Sequence, residues 1–102
     1  MSDNEMTVID ERTSVQLAEL FSALSDPSRL EIISALLERE LSVGEIAQGI
    51  GLSQSAVSHQ LRGLRQMHLV RGRREGRQVF YCLDDDHVAR LFQMGLDHVL
   101  HG

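Results

Sequence analysis

The sequence predicts a mainly α-helical fold with one β-hairpin, a winged helix-turn-helix in the order α-α-α-α-β-β-α that assembles as a homodimer. Two observations predict the fold. Apolar residues recur with the helical period through most of the chain, and after His68 this period gives way to alternation. A third observation, the spacing of the histidines near the C-terminus, predicts the dimer. The 102 residues suffice for one domain with a modest core.

The first two helices are predicted from periodicity and capping. Residues 1–12 are polar, and we expect them to form a mobile N-terminal arm that precedes a single domain over residues 13–102. A first helix is expected from Ser14. Asp26 and Pro27 provide an N-cap and a proline at the first position of a second helix. The residues expected to face inward on this helix are Leu30, Ile32, Ile33, Leu36 and Leu37.

The next two segments predict a helix-turn-helix. Ser42 and Glu45 have the spacing of a capping box at the start of a short third helix. Gly51 lies where the turn needs conformational freedom, and Ser53 can cap a fourth helix. Polar residues on the outer face of that helix can bond to base edges or phosphates, although any small helical domain exposes polar residues. The candidate DNA contacts there are Gln54, Ser55, Ser58, His59 and Arg62.

Residues 69–83 predict a β-hairpin whose turn contains Glu75 and Gly76. A hairpin that follows a recognition helix can lie along the neighbouring DNA backbone as a wing. The candidate contacts on this wing are Arg73, Arg74 and Arg77. A solvated Arg-rich hairpin without a partner is the alternative.

Charge is segregated along the chain, although the net charge is −5. Six of the ten Arg lie between Arg62 and Arg77, where only Glu75 opposes them, so this segment carries +5. The rest of the chain has four Arg against fourteen acidic residues, which gives −10. One face is therefore suited to phosphate, and we expect double-stranded DNA as a partner.

Composition argues against several other classes. No apolar run approaches a transmembrane length, and the acidic N-terminus does not resemble a signal peptide. The lone cysteine, Cys82, fits a reducing compartment. We therefore expect a cytoplasmic protein without a membrane partner or a small-molecule substrate.

Four potential metal ligands lie in the last eighteen residues: Asp85, His87, His98 and His101. On one helix, the eleven residues between His87 and His98 correspond to a rise of about 16.5 Å and to angular positions within roughly 20° of each other. A zinc ion bound by nitrogen at about 2.0–2.1 Å needs all its ligands in one small sphere. One helix therefore cannot supply these four residues to one ion.

An antiparallel second copy of this helix would complete the site. If the two copies cross near Gln93, the Asp85 end of one subunit meets the His98 end of the other, once at each end of the pair. Gly95 is expected where the two backbones approach closely. The alternative is an N-cap aspartate beside unconnected histidines. The apolar residues available for the interface are Val88, Leu91, Phe92, Leu96 and Val99.

The chain resembles the ArsR/SmtB family of metal-sensing winged-helix repressors over roughly residues 14–101. The resemblance lies in LSQSAVSHQLRGLR, in the Arg-rich hairpin, and in LDDDHV followed by a terminal His-x-x-His. It implies the same four ligands, shared between subunits. It also implies that His98 donates its second N–H to a backbone carbonyl near the end of the recognition helix, where the matching position is His68.

The ligand types indicate the metal. Three imidazoles and one carboxylate suit Zn²⁺ or Co²⁺ in a four-coordinate site, and Ni²⁺ only with further ligands. Similar family members that sense arsenic, cadmium or lead have paired cysteines where this chain reads Leu41-Ser42-Val43-Gly44-Glu45. Cys82 is expected to be a small buried hydrophobe.

The implied function is repression of transcription from an inverted-repeat operator, relieved when zinc binds between the C-terminal helices. Two alternatives use the same fold: a nickel- or cobalt-responsive repressor, and a metal-independent winged-helix regulator. A zinc hydrolase would need an open coordination position and a general base. The four protein ligands leave no open position, so we do not expect an enzyme.

Overall fold

The computed structural model describes residues 6–102 and has the predicted winged helix-turn-helix fold. Within these residues the elements are α1 (Glu11–Ala23), α2 (Pro27–Ala35), β1 (Leu41–Ser42), α3 (Val43–Ile50), α4 (Gln54–Gln66), β2 (Val70–Glu75), β3 (Gln78–Leu83) and α5 (Asp86–His101). No helix among the described residues is long and apolar enough to cross a membrane.

Helix α1 begins three residues before its predicted start. The side chain of Asp10 caps it by accepting a hydrogen bond of 2.7 Å from the backbone N–H of Thr13. Residues 11 and 12, which were predicted to lie in the arm, are therefore helical. The first five residues of that arm lie outside the described part of the chain.

A short strand that the sequence did not predict joins the hairpin. Strand β1 pairs antiparallel with β3, with Leu41 opposite Tyr81, and the sheet has the order β1-β3-β2. The hairpin itself is confirmed, and its turn places Gly76 at a φ of 63°. Strand β1 ends at Ser42, which is also the N-cap of α3, so the sheet is joined directly to the helix-turn-helix.

The core lies between α2, α3, α4 and the base of the hairpin. Its fully buried side chains are Ile32, Ile33, Ile46, Val57, Leu61 and Leu64. The prediction that Leu30 faces inward was wrong, because this side chain is 37% exposed. Burial of the six core side chains, at roughly 1.5–3 kcal/mol each, holds the recognition helix in place.

Both predicted caps of the helix-turn-helix are present. Ser42 accepts a hydrogen bond from the backbone of Glu45, whose side chain accepts one from the backbone of Ser42. Gly51 ends α3 in the left-handed region, with a φ of 74°. The hydroxyl of Ser53 caps α4 by accepting from Ala56 N–H at 3.1 Å.

Candidate DNA interface and metal-binding helix

Helix α4 separates its residues as the sequence predicted. The side chains of Val57, Leu61 and Leu64 are buried on one face. The five candidate DNA contacts, Gln54, Ser55, Ser58, His59 and Arg62, are all exposed. The buried face fixes the helix to the core, and the opposite face is free to meet a partner.

Two clefts lie between α4 and the wing, and we call them together the crease. One cleft, of about 450 Å³, brings Gln54 and Ser58 close to Arg77. The other, of about 480 Å³, is lined by Ser58 and Arg62. Tyr81 lines both clefts and was not among the predicted contacts. The structure therefore brings four of the predicted residues together around a tyrosine.

The wing has two faces that differ in charge pairing. Residues alternate between the faces of a strand, so Arg73 lies on the face opposite to that of Arg74. Arg73 is held by acidic residues on its own face: its distance to the carboxylate is 2.9 Å for Glu40 and 2.7 Å for Glu75. Its guanidinium also lies 5.3 Å from the centre of the Phe80 ring. Arg73 is thus already neutralised within the chain.

The ion pair between Arg73 and Glu40 shifts the pKa of both residues. Hydrogen bonds from Arg73 to Glu40, and then to Glu75, raise the pKa of Arg73 above its ordinary value. The same bond from Arg73 lowers the pKa of the Glu40 carboxyl, against the opposing effect of desolvation. Among the described residues, the ion pairs involve neither Arg74 nor Arg77. These two arginines are the better placed of the three predicted wing contacts.

Cys82 lies on the same face as Arg73 and differs from its prediction. It is half-buried rather than buried, and its sulfur accepts a hydrogen bond of 3.4 Å from Arg71 Nε.

Asp85 occupies two roles at the start of α5. Its carboxylate caps the helix by accepting hydrogen bonds from the backbone N–H of His87, at 2.8 Å, and of Val88, at 3.3 Å. The same oxygen lies 3.3 Å from Nδ1 of the His87 ring. Desolvation is the largest single effect and raises the pKa of Asp85, but the hydrogen bonds from the backbone and ring of His87 and from the backbone of Val88 together bring the pKa below its ordinary value. Asp85 therefore caps α5 and lies beside the His87 ring at the same time.

His98 and His101 are exposed in the last turn of α5, and the helix is continuous from Asp86 to these residues. The rise of about 16.5 Å expected between His87 and His98 therefore applies. No three His, Cys, Asp or Glu side chains of residues 6–102 come together as a metal-binding group within one chain. The structure places two candidate ligands at each end of α5.

An apolar groove runs along α5 between these ends. It has a volume of about 580 Å³ and is bounded by α1, α2 and α5. Leu96 is 42% exposed and Val99 is 80% exposed on its rim. A Cβ atom built at Gly95 would meet nothing within 4 Å among residues 6–102. Packing within the chain therefore gives no reason for a glycine at this position.

His68 lies just beyond the C-terminus of α4 with a φ of 58°, in the left-handed region. Its backbone N–H donates to the carbonyl of Arg65 at 3.0 Å. Within the described chain, no hydrogen bond joins His68 to His98. A left-handed residue after a helix is a common way to end it, and His68 serves that purpose here.

A match to a family model and the similarity to individual proteins both identify the family of this chain. The family model described as "Bacterial regulatory protein, arsR family" matches residues 26–71. A transcriptional repressor SmtB homolog of Synechocystis is 54% identical over 82% of this chain, and the match spans 64% of that relative's length. The HTH-type transcriptional regulator NmtR of Mycobacterium tuberculosis is 45% identical over 91% of this chain and 78% of its own length.

A solved structure extends the likeness to three dimensions. The homodimeric winged helix-turn-helix DNA-binding domain of a Mycobacterium bovis protein superimposes with a TM-score of 0.79. The two sequences are 31% identical, and the match covers 92% of this chain and 90% of that one.

Proposed function

Because the chain belongs to the arsR family of bacterial regulatory proteins, we propose that it is a zinc-responsive transcriptional repressor in the cytoplasm. The family consists of transcriptional regulators rather than enzymes, and its winged helix binds DNA. The proposal has three parts: a homodimer formed through α5, zinc bound between the two α5 helices, and release from an inverted-repeat operator.

The observation that carries the proposal is the arrangement of α5. Two candidate ligands lie at each of its ends, and an open apolar groove lies beside it. A second copy of the chain is the occupant that explains both features, because an antiparallel α5 would cover the groove and supply the missing ligands at each end. The homodimeric state of the Mycobacterium bovis neighbour supports this choice.

In this dimer each site takes Asp85 and His87 from one subunit and His98 and His101 from the other. Three imidazoles and one carboxylate suit a four-coordinate zinc ion, which would supply a fixed bridge between the subunits. The same residues could hold Co²⁺ in the same geometry. Nickel prefers a higher coordination number and would need ligands beyond these four.

Release from DNA follows from the position of the two α5 helices. Each recognition helix is fixed to its own core, so the distance between the two recognition helices depends on how the subunits are held together. A metal ion that bridges the two α5 helices would favour one particular distance between the recognition helices. We propose that this distance fits the operator poorly, and linkage then requires DNA to weaken zinc binding by the same factor.

His68 is the proposed link between the site and α4. In the metal-bound dimer the His98 ring would donate its second N–H to a backbone carbonyl at the end of α4, at or near His68. Such a bond would also orient the His98 ring toward the metal. The left-handed backbone at His68 supports this role by turning the chain sharply at the end of the recognition helix.

On the DNA side, we propose that Gln54, Ser55, Ser58, His59 and Arg62 enter the major groove or contact its backbone, with Arg74 and Arg77 on the neighbouring phosphates. Arg73 is proposed as a weaker contact, since Glu40 and Glu75 already occupy its guanidinium. Phosphate contacts position the protein, and base contacts specify the sequence.

The test is a fluorescence anisotropy titration of an operator fragment with and without zinc. We expect zinc at micromolar or lower concentration to weaken binding. His87→Ala and His98→Ala should each remove this response while leaving metal-free DNA binding nearly intact. Tighter DNA binding in the presence of zinc would refute a derepressor.

Two further results distinguish the alternatives. A nickel- or cobalt-responsive repressor would respond to its own metal at lower concentration than to zinc, and the absorption spectra of the Co²⁺ and Ni²⁺ complexes would report the coordination number. A metal-independent regulator would bind DNA equally well at every metal concentration.

A further inference from the structure

Tyr81 lies at the centre of the crease between α4 and the wing. It is the residue that the two clefts share on the wing side. The clefts also contain three arginines, of which Arg62 and Arg65 line one and Arg77 lines the other. Among residues 6–102, no acidic residue lines either cleft. The surroundings of Tyr81 are therefore cationic and suited to an anion.

The strand opposite Tyr81 makes room for its ring. Gly72 pairs with Tyr81 across the hairpin. A Cβ atom built at Gly72 would lie 3.2 Å from Tyr81 Cε1 and 3.1 Å from Val79 Cγ1. Glycine weakens the interior of a strand, and one reason for its presence is close approach by another group. Here the tyrosine ring is that group, so the ring is seated against the strand.

The hydroxyl of Tyr81 has no hydrogen-bond partner among the described residues. Among the described residues it makes no side-chain hydrogen bond, and no buried polar side-chain atom lacks a partner. Since Tyr81 itself is half-buried, its hydroxyl must reach solvent. A tyrosine with a packed ring and a free hydroxyl is common at binding interfaces, where the hydroxyl finds its hydrogen bond in the partner.

We propose that the Tyr81 hydroxyl donates a hydrogen bond to a phosphate of the DNA backbone where the backbone passes through the crease. The anionic ligand is a phosphodiester, because the crease lies beside the exposed face of the recognition helix and carries arginines on both its sides. The inference rests on the DNA-binding part of the proposed function and adds a contact to it.

The variant Tyr81→Phe tests the contact by removing only the hydroxyl. In the metal-free dimer, its dissociation constant for a random-sequence duplex should rise about tenfold, as expected for one hydrogen bond to a charged group. The factor should be the same on an operator, since a phosphate contact reads no sequence. The salt dependence should stay as in the wild type, because a phenol releases no counterions, whereas Arg62→Gln should lower the slope by about 1.

Phe80→Tyr is the matched control. It adds the same hydroxyl to the neighbouring position of β3, on the opposite face of the sheet, and should leave DNA affinity unchanged. Gly72→Ala is a second variant that keeps the hydroxyl but displaces the ring, and it should weaken binding to a similar degree as Tyr81→Phe. Thermal unfolding of each variant establishes that the fold is retained.

Three outcomes overturn the inference. Tyr81→Phe could bind both duplexes as tightly as the wild type. It could lose affinity on the operator alone, in which case Tyr81 reads a base. Phe80→Tyr could gain the same affinity that Tyr81→Phe loses, in which case the hydroxyl acts without regard to its position. If the wild type itself bound no DNA, the proposed function would fail first, and that result is separate from all three.

Discussion

The helix-turn-helix and the C-terminal half of α5 differ in how much of their apolar surface is buried within a single chain. In the first region the core side chains of α3 and α4 are fully buried, and side chains of the same chain cap both helices. In the second region, apolar residues and candidate metal ligands are exposed together. Met94 is 72% exposed, Val99 80% and Leu100 63%.

The difference indicates which part of the molecule a partner would complete. A large apolar patch on the surface of an isolated chain usually marks a site where a partner binds and covers it. The recognition helix is positioned within each chain, while α5 has its apolar surface and its histidines directed outward. In the proposed dimer, metal binding would change the relative position of the two chains without unfolding either recognition helix.

The largest expected effect is on stability, and it should differ between a core substitution and a substitution on α5. Ile46→Ala removes a fully buried side chain and should lower the free energy of unfolding by about 2–5 kcal/mol. Val99→Ala removes a side chain that is exposed in the single chain, and its effect should come through the dimer. Chemical denaturation at several protein concentrations would show this, with a loss that varies with concentration only for Val99→Ala. Equal, concentration-independent losses would contradict the comparison.

A smaller difference is expected between two arginines of the wing in the salt dependence of DNA binding. Arg77→Ala should lower the slope of log affinity against log salt by about 1 and weaken DNA binding, while zinc affinity stays nearly unchanged. Arg73→Ala should change the slope less, because Glu40 and Glu75 already neutralise Arg73. The measurement is anisotropy at several salt concentrations. A larger change for Arg73→Ala would mean that its ion pairs break on DNA.

His59→Ala is the counterpart of these wing variants on the recognition helix. If His59 contacts a base, its loss should reduce discrimination between operator and random DNA by about 1–3 kcal/mol. Competition between the two duplexes measures this directly. An equal loss on both would place His59 on the backbone instead.

The smallest expected effect is that of Gly95→Ala, which should have opposite signs for the stability of the monomer and of the dimer. Alanine is favoured over glycine within a helix by about 0.5–1 kcal/mol, and a Cβ at Gly95 meets nothing within 4 Å in the described part of its own chain. Gly95→Ala should therefore stabilise a monomer. If the second α5 approaches closely at this point, the same change should weaken the dimer. Analytical ultracentrifugation of both proteins would decide, and an unchanged dimer would remove Gly95 from the interface.

Sequence reasoning succeeded where the signals are local. The capping box of Ser42 and the stripe of Val57, Leu61 and Leu64 depend on neighbours within a few residues, and the structure contains both. The start of α1 was placed too late because Asp10 was not considered as a cap. Strand β1 was missed because two residues carry no periodic pattern, and its pairing with β3 spans 38 or more positions of the chain.

The remaining differences come from contacts distant in sequence. The pairing of Arg73 with Glu40 joins residues 33 positions apart, so the sequence could not show that this arginine is neutralised. Tyr81 reaches the crease only because β3 lies beside α4 in the fold. Leu30 has helical spacing typical of a core residue, but it lies at the edge of the groove beside α5.

The most direct test of the proposed shared metal site uses two double variants. One lacks Asp85 and His87, the other lacks His98 and His101, and neither should bind zinc tightly as a homodimer. Mixed and differentially tagged, they should form heterodimers with one complete site and one empty site, and tight binding should return at one zinc per dimer. If verified heterodimers bound no zinc while the wild type bound two, the antiparallel arrangement of α5 would be wrong.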